Sequence, residues 1–584
     1  MLTGSRLLWK SLAMPPTLHC MMPFSLEPGL RAVLLTAALL AGCAAGDGPR
    51  TAGDAPRGAF GPYLAGRFAS SEADSAMAAA QLGEALRQDP DQIEVLQQAF
   101  GAAVMNGQSD ATRLARRLPE DQLANLLLAG ADAQAGRWDR TEQRLRTLPR
   151  RGSAQLLQPL LVAWAQAGRG DTAQALALLR PFIEDGRLRG VIALHAAMIA
   201  DLGGQPQDAA RYLRLAIADT QEPNLRLAQI GAGILARAGQ EAQGARLFDV
   251  MARGNDDIAM AVTPALRQKA LQGRAVASAT EGMAEAQVAF GAALRSQGGP
   301  DLALMLSRLA LRLRPDFAPA LLLAADSLAD QKHTDRALAM LETVPERDPL
   351  APLVALRRAS LLDAMGRTAE AEALLRHLAQ SHPQAVQPVA QLGDMLRTRG
   401  RFGEASAAYG EALARARADG SVGWPLYYAQ GIAMERDGRW TEAEASFRRA
   451  LALAPDQPSV LNYLAYSWAE RGERLPEAKR MLERAAALRP QDGNIADSLG
   501  WVLLRQGDLP KAVQTLERAV ELESRNSTIN EHLGDAYWAV GRRTEARYQW
   551  RRALDLVPAS EDGPRLSAKL RDGLQTSPAA SAMR

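Results

Sequence analysis

Few residues in this chain are placed to do chemistry. There are two cysteines, Cys20 and Cys43, and they form no CxxC pair. A zinc site or a disulfide framework is therefore not expected. Of the six histidines, His19 lies in the amino-terminal segment, leaving His195, His333, His377, His382 and His532. None belongs to an HExxH motif. His377 and His382 are five apart, so they do not share a helix face, and Pro383 ends any helix there. All five read as loop or helix-end residues at the surface. Gly231-Ala-Gly233-Ile-Leu-Ala236 loosely imitates a dinucleotide fingerprint, but no strand precedes it. Walker A and GxSxG motifs are absent from the sequence. The many carboxylates read as solvated helix faces. The expectation is a protein with no catalytic site, no metal and no cofactor.

Composition points the same way. The chain has 584 residues, 47% hydrophobic but only 5% aromatic. Alanine and leucine, spaced by arginine and glutamate, favour closely packed helix pairs. Strict alternation of Val, Ile, Thr and Tyr, the mark of strands, does not occur. A formal net charge of +3 is near neutral for this length, and no basic block is interleaved with aromatics. Nucleic acid is thus not an expected partner.

The amino terminus reads as an address. Ala32 to Leu40 is a nine-residue apolar run, too short to span a bilayer as a helix. Arg31 precedes it and small residues follow, which is the layout of a secretory signal peptide. Met21 or Met22 would begin a more ordinary leader than Met1. Leu40-Ala41-Gly42-Cys43 resembles the lipobox of bacterial lipoproteins. By that resemblance residues 1–42 are removed and Cys43 carries the lipid. Ala44, where aspartate would signal inner-membrane retention, favours the outer membrane. Residues 43–60, rich in Gly and Pro, read as a flexible tether reaching roughly 20–25 Å.

The elements that organise the rest appear as self-similarity. Small residues recur every 34 positions at Gly291, Ala325, Ala359 and Gly393, and on a second rail at Ala303, Ala337, Ala371 and Ala405. Gly500/Gly534, Ala512/Ala546 and Ala519/Ala553 keep the period, Gly431/Ala443/Ala450 and Ala465/Ala478/Ala485 fill the gap, and prolines at 315, 349, 383, 455, 490 and 558 close the units. This is the spacing of tetratricopeptide repeats, helical hairpins that bury their apolar faces by stacking. The first half is weaker but in phase at Gly66/Ala78/Ala85, Ala163/Ala197/Gly231 and Ala175/Ala209. The expected fold is an all-α tetratricopeptide-repeat solenoid in two lobes, 61–250 and 284–558. An irregular helical join at 251–283 separates them, and 559–584 form a tail that holds at most a short helix from Pro564 onward.

In such arrays the first helix of each hairpin lines the concave side. Positions one and four after its small residue, and three before, face the groove. In the second lobe these are Asp394, Arg397, Tyr428, Asn462, Tyr466, Asp497, Trp501, Glu531, Asp535 and Trp538, with Asn494 one turn before Asp497. Aromatic and amide side chains on a concave wall suit capture of an extended peptide or helix.

The segments 460–485, 495–522 and 529–554 (beginning VLNYLAYSWAERG, IADSLGWVLLRQG and INEHLGDAYWAVG) resemble a proteobacterial family of large tetratricopeptide lipoproteins. Some of its members hold a C-terminal processing protease at the outer membrane and present peptidoglycan hydrolases to it. The resemblance implies an outer-membrane lipoprotein facing the periplasm, a scaffold or adaptor for envelope proteins, attached to the membrane by lipid alone. The alternative is a component of an envelope polysaccharide or protein export or assembly machine.

Overall fold

The computed structural model describes residues 58–148, 154–185, 188–220, 224–252, 256–419, 423–556 and 563–574. The leader, most of the tether and Cys43 lie outside them. The described residues are helical throughout, without a strand. The chain has the all-α tetratricopeptide-repeat fold.

The period of 34 is written in close approaches. On the second-helix rail, Ala303, Ala337, Ala371, Ala405, Ala443, Ala478, Ala512 and Ala546 have no exposed surface at all. On the first-helix rail, glycines admit the large side chain opposite. A Cβ at Gly431 would sit 2.6 Å from the Phe447 ring, and one at Gly534 would sit 2.5 Å from Trp550. The turn inside each hairpin is equally regular. Gly400, Gly438, Gly472, Gly507 and Gly541 all take positive φ there, a left-handed helix end that glycine adopts without strain. Lys332 takes the same conformation, at φ 70°, without that freedom.

The described chain packs as two compact units, one up to Leu374 and one from Leu375. The sequence places its break at 251–283 instead, and the packing explains the difference. The join is itself helical, Asp256–Ala261 and Pro264–Gln272, and it is pinned to the first unit. Buried Asp201 receives Arg237 through two bonds of 2.6 and 2.7 Å, and Arg274 at 3.2 Å. The next helix, Ala279–Ser296, runs across the expected boundary at 283/284 and packs on Ala154–Arg169. Gly282 permits this: a Cβ there would fall 2.3 Å from the ring of Trp164. The following helix, Pro300–Leu313, then lies against Ile93–Met105 and Gln122–Gln134. Arg336 reaches Asp74 at 2.9 Å. The first unit therefore folds back on its own beginning.

Among its described residues the second unit contains five full hairpins. Their first helices are Gln387–Thr398, Trp424–Arg436, Pro458–Arg471, Gly493–Gln506 and Ser527–Ala539. A single helix, Gly563–Asp572, follows within what reads in sequence as tail, and it packs on Arg543–Leu556.

Candidate functional site

The first helices of the second unit also touch one another, 458–471 on 493–506 and 493–506 on 527–539. Between them they form a continuous wall, and the eleven candidate side chains can be followed along it.

At its start, Asp394 and Arg397 are bound into their own repeat. Tyr409 donates to Asp394 Oδ1 at 2.6 Å, and Arg397 Nε donates to the same hydroxyl at 3.2 Å. Burial raises the Asp394 carboxyl above its usual range, with Tyr409 and Arg397 opposing it. Tyr428 sits in an aromatic cluster, its ring 6.0 Å from both Trp424 and Phe447 and 5.9 Å from Tyr463. Burial pushes its phenol up to about 12, and the guanidinium groups of Arg397 and Arg489 pull the other way.

The centre of the wall holds a second cluster. Trp501 stacks on His532, with ring centroids 4.2 Å apart and planes 18° from parallel. Tyr466 lies 6.3 Å from the same imidazole. Asp497 fixes His532 from behind, both carboxylate oxygens lying 3.0 Å from Nδ1. Burial alone would lower this histidine, but Asp497, helped by Asp535 and Glu531, holds it above its ordinary value. Two polar atoms here are buried and have no hydrogen-bond partner: Oδ1 of Asn462, one turn before Tyr466, and the indole Nε1 of Trp501.

Three candidates are occupied by the chain itself. Lys569, from the Gly563–Asp572 helix, donates to Glu531 at 2.6 Å and to Asp535 at 2.7 and 2.8 Å. Arg565 of the same helix also bonds Glu531. Trp538 is covered by Gly573 and by Arg543, whose guanidinium lies 3.9 Å from its ring centroid. Asp535 also accepts from Trp550 Nε1 at 2.8 Å. The acidic end of the wall is therefore closed by a carboxy-terminal helix.

One candidate is misplaced. Asn494 donates to Glu523 at 2.9 and 3.0 Å and accepts from Asn526 at 3.2 Å, so it staples two repeats together. It lies in the first turn of its helix, where side chains meet the next repeat's connection instead of the wall.

Two of the five histidines expected at the surface are in the core. His333, His377 and His382 lie at helix ends or on the surface, but His532 and His195 are buried inside helices. His195 accepts from Trp164 Nε1 at 3.1 Å, and burial pushes it down to about 3. The aromatic neighbours one repeat away were the available signal. Gly231 and Gly233 are packing positions within the helix Leu225–Arg237, facing Leu247 and the Ala270 carbonyl. Among the described residues no group of His, Cys, Asp and Glu is arranged to hold a metal.

Comparison with known proteins agrees with the hairpin geometry. Residues 391–458 and 468–527 match a tetratricopeptide repeat family, and 317–424 match a tetratricopeptide repeat-like domain. A tetratricopeptide repeat-containing protein of Pseudomonas aeruginosa is 32% identical over 181 residues. That match covers 31% of this chain and 30% of the relative, so the chain spans under a third of that protein's length. Among solved structures, the chain is similar to the Cut9–Hcn1 hetero-tetramer of the APC/C at 13% identity and a TM-score of 0.36, covering 89% of this chain and 97% of that one. It is also similar to YrrB, described as a tetratricopeptide repeat protein with an unusual peptide-binding site, at 20% identity and a TM-score of 0.27, covering 33% of this chain and 97% of YrrB.

Proposed function

We propose that the centre of the second unit's wall, from Tyr428 to Trp501, binds an extended protein segment. Tetratricopeptide repeats make the chain a protein-interaction scaffold, and this stretch is the part of the wall that the Gly563–Asp572 helix does not cover. The carrying observation is the aromatic floor of Tyr466, Trp501 and His532, with Trp501 stacked on His532 at 4.2 Å and Asp497 holding the imidazole. Fixed aromatic anchors beside a few directed polar groups are how such interfaces concentrate binding energy.

The partner class follows from the address. Leu40-Ala41-Gly42-Cys43 supports lipidation at Cys43 and attachment to the outer membrane. Partners are then periplasmic proteins, and the lipoprotein resemblance favours a C-terminal processing protease and peptidoglycan hydrolases. Crosslinking and co-purification from envelope extract, comparing wild type with Trp501→Ala/Asn462→Ala, tests the site. The double variant is expected to lose its partner while keeping its helical content; an unchanged set of partners refutes the site. Recovery of neither a protease nor a cell-wall hydrolase by the wild type counts against the adaptor role. Cys43→Ser is expected to release the chain from the membrane fraction, and persistent attachment refutes the anchor.

A further inference from the structure

The fold-back of the first unit leaves a cavity of about 740 Å³ between the Ile93–Met105 and Gln122–Gln134 helices on one side and Ala279–Ser296 and Pro300–Leu313 on the other. We propose that this cavity binds the acyl chain of a lipid.

Its depth and its mouth differ in chemistry. Leu118, Leu157, Phe290, Leu306 and Leu309 line it and are buried. The polar lining residues Gln97, Arg117, Glu120 and Gln122 are all exposed and stand at the rim. Arg117 is committed to the Pro90 carbonyl, and Asp121 caps its own helix through the Ala124 N–H at 2.8 Å. Glu120, the remaining charged lining residue, is exposed at the rim. Two large apolar side chains also stand in the opening: Ile93 is 56% exposed and Leu302 46%. A pocket with an apolar depth and a few polar groups at its rim is suited to ligands that are largely apolar.

Size and polarity select among those ligands. The volume lies within the range of small-molecule sites, about 300–1,000 Å³. An extended peptide entering the depth would bury N–H and C=O groups that nothing there can satisfy, at a cost of several kcal/mol each. A helix satisfies its own backbone, so an amphipathic helical peptide is the competing occupant that the test must exclude. An acyl chain has no polar group along its length, is thin and bends. Its headgroup would remain at the polar rim, so a free fatty acid and a phospholipid tail present the same chemistry to the site.

The test is a fluorescence titration of the full chain with cis-parinaric acid, with palmitate and lysophosphatidylcholine as competitors. Saturable binding of one probe per chain is expected. Displacement by palmitate alone assigns a free fatty acid; displacement by the lysolipid, alone or as well, assigns a phospholipid tail. Leu302→Glu at the exposed mouth and Met305→Trp, which fills space, are each expected to weaken binding by about tenfold or more, the effect of losing roughly two buried methylenes. Phe60→Ser/Phe68→Ser removes the two most exposed large apolar side chains of this unit's first helix, away from the pocket lining, and is expected to leave binding unchanged. Leu302 is half exposed, so its variant folds and keeps the proposal falsifiable even if Met305→Trp does not. Absent saturable binding, unchanged affinity in Leu302→Glu, loss of binding in the Phe60/Phe68 variant, or displacement by a leucine-rich peptide in preference to lipid would each overturn it.

Discussion

Acidification should loosen the first unit through one side chain. His195 is wholly enclosed, and its Nδ1 accepts the Trp164 indole N–H at 3.1 Å. Protonation removes that acceptor and places a charge where no water reaches. Both effects favour the neutral ring, and burial holds the folded-state value near 3 against 6.5 in the unfolded chain. A histidine depressed in this way contributes stability that is complete above 6.5 and is lost as pH falls below it. Between pH 8 and pH 5 the unfolded chain gains the proton and the folded chain does not, which costs about 2 kcal/mol. The assay is hydrogen exchange under urea, read on peptides from the Arg189–Leu202 helix, for wild type and His195→Gln at both pH values. The stability difference between the two proteins is expected to change by about 2 kcal/mol, to the disadvantage of the wild type at pH 5. Taking the difference cancels every other titrating group. A pH-independent difference would refute the claim that His195 stays neutral in the fold.

The second unit should respond with the opposite sign. His532 is held above its ordinary value by Asp497, so its contribution is complete below 6.5 and is lost as pH rises through the folded value. The advantage of wild type over His532→Gln, read on peptides from Ser527–Ala539, is expected to shrink on alkalinisation; an advantage that grows would reverse the assignment. Lys332→Gly relieves a left-handed lysine and is expected to stabilise by about 1 kcal/mol in urea melts of the first unit, whereas destabilisation would mean the turn is not strained. Trp550→Ala empties the space facing Gly534 and strips Asp535 of a donor, and is expected to cost about 3–5 kcal/mol in the second unit by the same measurement; a loss under 1 kcal/mol would show that the site collapses freely.

What the sequence shows and hides follows from the range of the interactions involved. Close helix approaches demand Gly or Ala at fixed spacing, so the ladder is legible residue by residue, as the zero exposure of the alanine rail shows. The same register orients Tyr466 and Trp501 onto the wall, because a helical face is a local property. The fold-back of the first unit is not local. It depends on Gly282 meeting Trp164 more than a hundred residues earlier, and neither residue breaks the pattern around it. The closing helix of the second unit lies between these cases. Its ion pairs join Lys569 and Arg565 to Glu531 and Asp535 across 34 to 38 positions, beyond any local pattern. Yet Leu566, Leu570 and Leu574, spaced by four and flanked by those two cations, already mark an amphipathic basic turn. An acidic, aromatic wall ending a repeat array and a basic amphipathic segment just after it are complementary in charge and in apolar face. Such complementarity, more than periodicity, marks the part of the wall that the chain fills for itself.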